Sequence, residues 1–125
     1  MVKKNSRWIL PALWGILLAV LSLMPAEQGN LLLFGIPHID KIAHFGMYSV
    51  WTFLVYRAWS GTSKISKSRL MWLTFLLGTM TGAILEYAQY SMTVGRSFEI
   101  SDMIANAVGS FAGVLAGKIW KPRER

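Results

Sequence analysis

Apolar residues fall into four long runs, separated by short polar intervals. The first is Trp8–Met24, the second Ile42–Trp59, the third Leu70–Tyr90 and the fourth Met103–Trp120. Each is seventeen to twenty-one residues long. A helix rises ~1.5 Å per residue, so about 20 residues cross a ~30 Å hydrocarbon layer. The intervals carry turn residues: Pro25 and Gly29, Gly35 and Pro37, Gly61 among Ser60, Thr62 and Ser63, and Gly95. The pattern predicts an all-α fold: a polytopic membrane protein built as a four-transmembrane-helix bundle, in a single domain over residues 1–125.

Polar residues inside these runs are not scattered. Residues four apart share a helix face, and on that spacing Asp40, His44, Tyr48 and Thr52 form one stripe. Gly78, Gly82 and Glu86 form a second, with Tyr90 beyond and Gln89 beside it. Asp102 and Asn106 lead onto Gly109 or Ser110, then Gly113 and Gly117. Stripes of small residues are where membrane helices pack closely, so these faces are expected to turn inward. Alternating span direction puts His44, Glu86 and Asn106 at one depth, each about one turn (~5.4 Å) from the same end. Asp40, Arg96 and Asp102 lie above them. The expected result is a shallow polar chamber walled by three helices.

Charge sets its orientation. Eleven of the thirteen basic residues lie before the first run, at or between the facing ends of the second and third, or at and after the end of the fourth. Only Lys41 and Arg96 fall on the other side, while every acid except Glu124 does. The positive-inside rule then places both termini in the cytoplasm and the chamber at the outer surface of the membrane. The net charge of +7 reads as topology rather than nucleic-acid binding. Composition agrees: 54% of residues are hydrophobic and 15% charged, against ~25% charged in soluble domains. Trp8, Trp59, Trp72 and Trp120 near the run ends read as interface anchors. The absence of cysteine excludes disulfides, iron–sulfur ligation and a thiol nucleophile. The N-terminus has the charge pattern of a signal peptide, but its apolar run is long and Met24-Pro25-Ala26 is a poor cleavage site. It is expected to be a retained anchor.

The candidate chemistry lies in the chamber. Glu86, a carboxyl group inside a span, is a candidate proton carrier; the plain alternative is an ion pair with Arg96 or Lys41. His44 is a candidate acid or base, or else a helix-packing hydrogen-bonder. Asp40 would orient His44, but Asp40 and Asp102 are equally suited to capping their helices. Arg96 suits a phosphate or carboxylate, with pairing to Glu99 or Asp102 as the alternative. Asn106, Lys41, Tyr48 and Gln89 complete the set expected to contact a substrate, Asn106 being also a natural interhelical hydrogen-bonder. No metal ligand is assigned: His38, Asp40, His44, Glu86 and Asp102 offer donors, but H-x-D-x-x-x-H fits no strong zinc pattern. The sequence requires no cofactor; its identity stays unknown, with a divalent ion conceivable.

DKxxHFxxY at 40–48, ExxQ at Glu86–Gln89, Arg96 in GRSFE and DxxxNxxGxxxG at 102–113 together resemble the VanZ-like family of integral membrane proteins. The ordered set carries the resemblance. The family is named for an accessory protein of glycopeptide resistance, so the resemblance implies an association with teicoplanin. It supplies no catalytic assignment.

Three functions are compatible with these residues. An enzyme would modify an envelope lipid or lipid-linked cell-wall precursor, with Glu86 and His44 exchanging protons. A non-catalytic binder would hold a lipid head group or a lipoglycopeptide. A proton-coupled transporter component is less suited, since no inverted repeat is evident. The expected partners are membrane lipids, with no role for nucleic acid.

Overall fold

Helices form where the apolar runs lie, and local chemistry sets their ends. In a computed structural model of the chain, the described residues are 4–24, 39–92 and 99–120. A 3₁₀ turn at Lys4–Trp8 leads into α1, Ile9–Ser22; then come α2, Ile39–Ser60, α3, Lys67–Met92, and α4, Ile100–Ile119. Pro11 sits in the first turn of α1, where its missing N–H has no intrahelical acceptor to lose. Ser66 caps α3: its hydroxyl accepts from the Arg69 N–H at 3.4 Å and its carbonyl from the Leu70 N–H at 2.9 Å. α2 and α4 begin three residues before their apolar runs, so Asp40, Lys41 and Asp102 all lie in first helical turns.

Among the described residues the fold is all-α, with four α-helices and no strand. α3 and α4 are long and apolar enough to cross a membrane. α2 is 22 residues long, hence ~33 Å, but carries Asp40, Lys41, Arg57 and several hydroxyls. The apolar helix at the N-terminus covers Ser6–Ser22 and is shorter. Much of the bundle's outer surface is apolar: Leu10, Leu13 and Ile16 on α1, Leu76, Met80 and Ile84 on α3, and Ile104, Val108 and Leu115 on α4 are all exposed. Soluble monomers rarely expose contiguous apolar surface on this scale, so the surface suits lipid.

α4 is the central element. Its Gly109 lies against the Phe45 backbone of α2, its Gly113 against the Ser49 carbonyl and Thr52, and its Gly117 against Tyr56. A Cβ at Gly109 or Gly113 would collide with α2 main chain. The close approach is fixed by the Ser49 hydroxyl donating to the Gly109 carbonyl at 2.8 Å and the Thr52 hydroxyl donating to the Ser110 carbonyl at 3.0 Å. These contacts advance together along both chains, so α2 and α4 run parallel. On its other side α4 sets Ser110 against Gly78 and Asn106 against Gly82 of an antiparallel α3. Val114, between the two contacts, is fully buried with Tyr56, Leu70 and Met71. α1 buries only Pro11 and Leu18. It is held by the Trp14 indole donating to the Met47 carbonyl at 2.9 Å and the Trp51 indole donating to the Pro11 carbonyl at 3.1 Å.

The up-and-down arrangement sorts charge. Arg57, Lys64, Lys67, Arg69 and Lys118 gather at the end where Gly61 approaches the Arg7 side chain. Asp40, Lys41, Glu86, Glu99 and Asp102 gather at the other.

Candidate functional site

Each of the three inner stripes ends at the acidic end of the bundle, and there the polar side chains meet. Tyr48, Glu86, Gln89, Asp102 and Asn106 are buried, with Glu86 only 2% exposed; His44, Asp40 and Lys41 are half-buried. His44 and Tyr48 of α2, Leu85, Glu86 and Gln89 of α3, Asn106 of α4 and Ser22 of α1 line one narrow crevice. Its empty space of about 140 Å³ includes open solvent, and the crevice encloses no room for a whole ligand.

Hydrogen bonds in this layer join all four helices. His44 Nδ1 lies 2.9 Å from Asn106 Oδ1, tying α2 to α4. Glu86 Oε1 accepts from the Glu99 backbone N–H at 3.1 Å, tying α3 to α4. Glu99 is the N-cap residue of α4 and its own side chain makes no cap. The Glu86 carboxyl therefore stands at the positive end of the α4 dipole, where negative charge is stabilised. Gln89 Nε2 donates to the Ser22 carbonyl at 2.8 Å, an acceptor in the last turn of α1 that the helix itself leaves unpaired.

Above this layer lies an ion cluster. The Lys41 ammonium is 3.3 Å from Glu99 Oε2 and 3.6 Å from oxygens of both Asp40 and Asp102. Burial pulls the Lys41 pKa down, but the Glu99 hydrogen bond and the charges of Asp40, Asp102 and Glu99 outweigh it and hold it above the ordinary lysine value. One oxygen from each of these three acids falls within 4.8 Å of the others, a donor set suited to an oxygen-ligated cation. The Lys41 ammonium already supplies positive charge at that point. The metal donors considered from sequence differ: Asp40 and Asp102 belong to this group, Glu99 joins them, and His38 lies outside the described residues.

The structure thus brings His44, Tyr48, Glu86, Gln89 and Asn106 to the crevice, and Asp40, Lys41 and Asp102 to the cluster at its mouth. Arg96 lies outside the described residues. The expected Asp40–His44 pairing is replaced: the described partner of the ring is Asn106, while Asp40 pairs with Lys41. Asp40 and His44 share a helix face, but the Asp40 carboxylate turns to the Lys41 ammonium, and parallel α4 brings Asn106 to the ring. Among the described residues Glu86 accepts from the Glu99 main-chain N–H and Lys41 pairs with Asp40, Glu99 and Asp102; Arg96, the other ion-pair partner considered from sequence, lies outside them. Asp40 and Asp102 lie in the first turns of α2 and α4, where their charge complements the helix dipoles as considered from sequence, and both also pair with Lys41.

Two contributors escaped the sequence reading. Glu99 serves two helices at once, through its N–H to Glu86 and its carboxylate to Lys41. Ser22 contributes a carbonyl, which every residue has, so no sequence signal marks it. For Glu99 the available signal was its place just before a helix start, beside Ser101 and Asp102.

Compared with known families, residues 5–121 match the family model described as VanZ/LLP1, nearly the whole chain. No curated protein and no solved structure matches.

Proposed function

The chain belongs to the VanZ/LLP1 family, and on that premise we propose that it is a four-span protein of the bacterial inner membrane whose polar end faces outward and acts on an envelope lipid or lipid-linked cell-wall precursor. The charge sorting supports the orientation, with the basic end and both termini in the cytoplasm. One observation carries the functional reading: a buried carboxyl, Glu86, shares a crevice inside the helix bundle with His44, Tyr48 and Gln89. Ionisable groups in such positions are expensive and usually functional. In this reading Glu86 and His44 exchange protons with the substrate. The cluster of Lys41, Asp40 and Asp102 governs the mouth, and Arg96 holds a phosphate or carboxylate there. The resemblance to VanZ-like proteins extends the proposal to teicoplanin: altered envelope chemistry would change susceptibility to that drug.

A second reading is a non-catalytic binder of a lipid head group or lipoglycopeptide. It is favoured by the narrowness of the crevice and by the partners of its polar groups. Asn106 holds His44, Glu99 holds Glu86 and Ser22 holds Gln89, so each tether also has a packing role.

The test is a lipid and wall-precursor profile of cells with and without the protein, alongside teicoplanin susceptibility. The enzyme reading expects a chemically altered lipid or precursor that depends on the protein. Unaltered profiles with changed susceptibility favour the binder, and no change in either removes both.

A further inference from the structure

We infer that Asn106 sets the tautomer of His44, so that the neutral imidazole presents Nε2 as its basic atom. The inference deepens the proton-transfer reading and depends on it for functional meaning; the tautomer itself is a property of the folded chain. His44 Nδ1 and Asn106 Oδ1 are 2.9 Å apart. An amide oxygen only accepts, so the hydrogen lies on Nδ1. A neutral imidazole has one N–H, which leaves the Nε2 lone pair bare. That nitrogen belongs to a ring lining the crevice that Glu86 and Tyr48 also line.

The Asn106 side chain packs against a third helix. Asn106 is 2% exposed, and a Cβ on Gly82 would come within 2.9 Å of its Cβ and 3.0 Å of its Nδ2. The bare α3 backbone at Gly82 is therefore what admits Asn106, with its Nδ2 side toward α3 and its Oδ1 toward α2. A chain of contacts runs from Gly82 through Asn106 to the imidazole. Carboxylates perform this orienting task in many histidine sites; here the atom facing Nδ1 is the Asn106 amide oxygen, while Asp40 and Asp102 pair with Lys41 and the Asp102 charge also acts on the ring. A neutral amide orients the ring without adding charge to a layer that already holds Glu86. Asn106 is thus a positioning residue, acting through His44.

The test is nitrogen NMR of the full-length protein in lipid nanodiscs, with labelled histidine, at a pH where the ring is neutral. The chain has two histidines, so a His38→Gln variant assigns the signals. His44 is expected to show a protonated δ and a bare ε nitrogen. Asn106→Asp keeps an acceptor and should keep the δ-protonated signature. Asn106→Leu removes the acceptor and should shift His44 toward the ε-protonated form that free imidazole side chains prefer. An ε-protonated His44 in the unmodified protein overturns the inference, as does an Asn106→Leu spectrum unchanged from it. Should Asn106→Leu fail to fold, the unmodified and Asn106→Asp spectra decide. The readout is independent of activity. A δ-protonated His44 whose loss leaves the envelope profile unchanged keeps the tautomer assignment and removes only the proton-transfer reading.

Discussion

A side chain at Gly113 has nowhere to go, because a Cβ there meets the Ser49 carbonyl and Thr52 of the parallel helix. Backbone carbonyls cannot swing aside as a flexible side chain can, so Gly113→Ala should force α2 and α4 apart. Overpacking of this kind costs about 1–3 kcal/mol. Thermal unfolding in detergent should show that loss, while Leu115→Ala, at a position 41% exposed, should change little; equal effects would place Gly113 toward lipid. Lys41 offers a second test. Its ammonium lies against Asp40, Glu99 and Asp102 at once and offsets part of their mutual repulsion, so Lys41→Met should lower the unfolding midpoint and Lys41→Arg, which keeps the charge, should largely restore it. Identical midpoints for both variants would mean that the cluster does not bind the helices. Residues on the inward stripes were legible in the sequence because one helix alone fixes which positions share a face. Val114 was not, since its burial needs a second neighbour: α2 covers one side of α4 and α3 the other. Glu99 was not, because its main-chain N–H does half of its work.

At the scale of elements, run boundaries and helix boundaries report different physics. The apolar runs mark where side chains suit hydrocarbon, and the helices continue until a cap stops them. Hence α3 begins at Lys67, beyond its apolar run, because Ser66 supplies the cap. The two polar turns that open α2 and α4 carry the mouth residues on regular helix, which is why they can meet Lys41. Pairing of elements was less legible, because relative rotation and register are set by contacts such as Gly82 on Asn106. α1 is the clearest case, since its run holds no polar stripe. The two indoles crossing between α1 and α2 each make a hydrogen bond to a main-chain carbonyl, worth about 0.5–1.5 kcal/mol net. Replacing Trp14 and Trp51 together by Phe should loosen α1 selectively. Hydrogen exchange should speed up in Ile9–Ser22 and remain unchanged in α3 and α4. Uniform loosening of the bundle would instead make α1 integral to the core.

For the whole molecule, the segregation of charge between the two ends links fold to function, since it determines which compartment the polar layer faces. The natural absence of cysteine makes this testable with single substitutions. Ile100→Cys should react with a membrane-impermeant maleimide in intact cells, and Thr62→Cys only after lysis. The reverse pattern would turn the site toward the cytoplasm. The same layer both tethers four helices and gathers groups capable of proton transfer, so the decisive measurement must separate tethering from chemistry at one residue. Glu86→Gln does so. The glutamine carbonyl can still accept the Glu99 N–H, keeping the bond that caps α4, but the group no longer exchanges a proton. Glu86→Ala leaves that N–H without its acceptor, at a cost of about 1–3 kcal/mol, and serves as the control for tethering. Membrane abundance and the protein-dependent change in lipid or wall-precursor profile should be measured for both variants in the same cells. The account predicts near-normal abundance of Glu86→Gln with the profile change abolished, and lowered abundance of Glu86→Ala. A Glu86→Gln protein that is abundant and still produces the full change would contradict proton chemistry at Glu86 and leave it a structural cap.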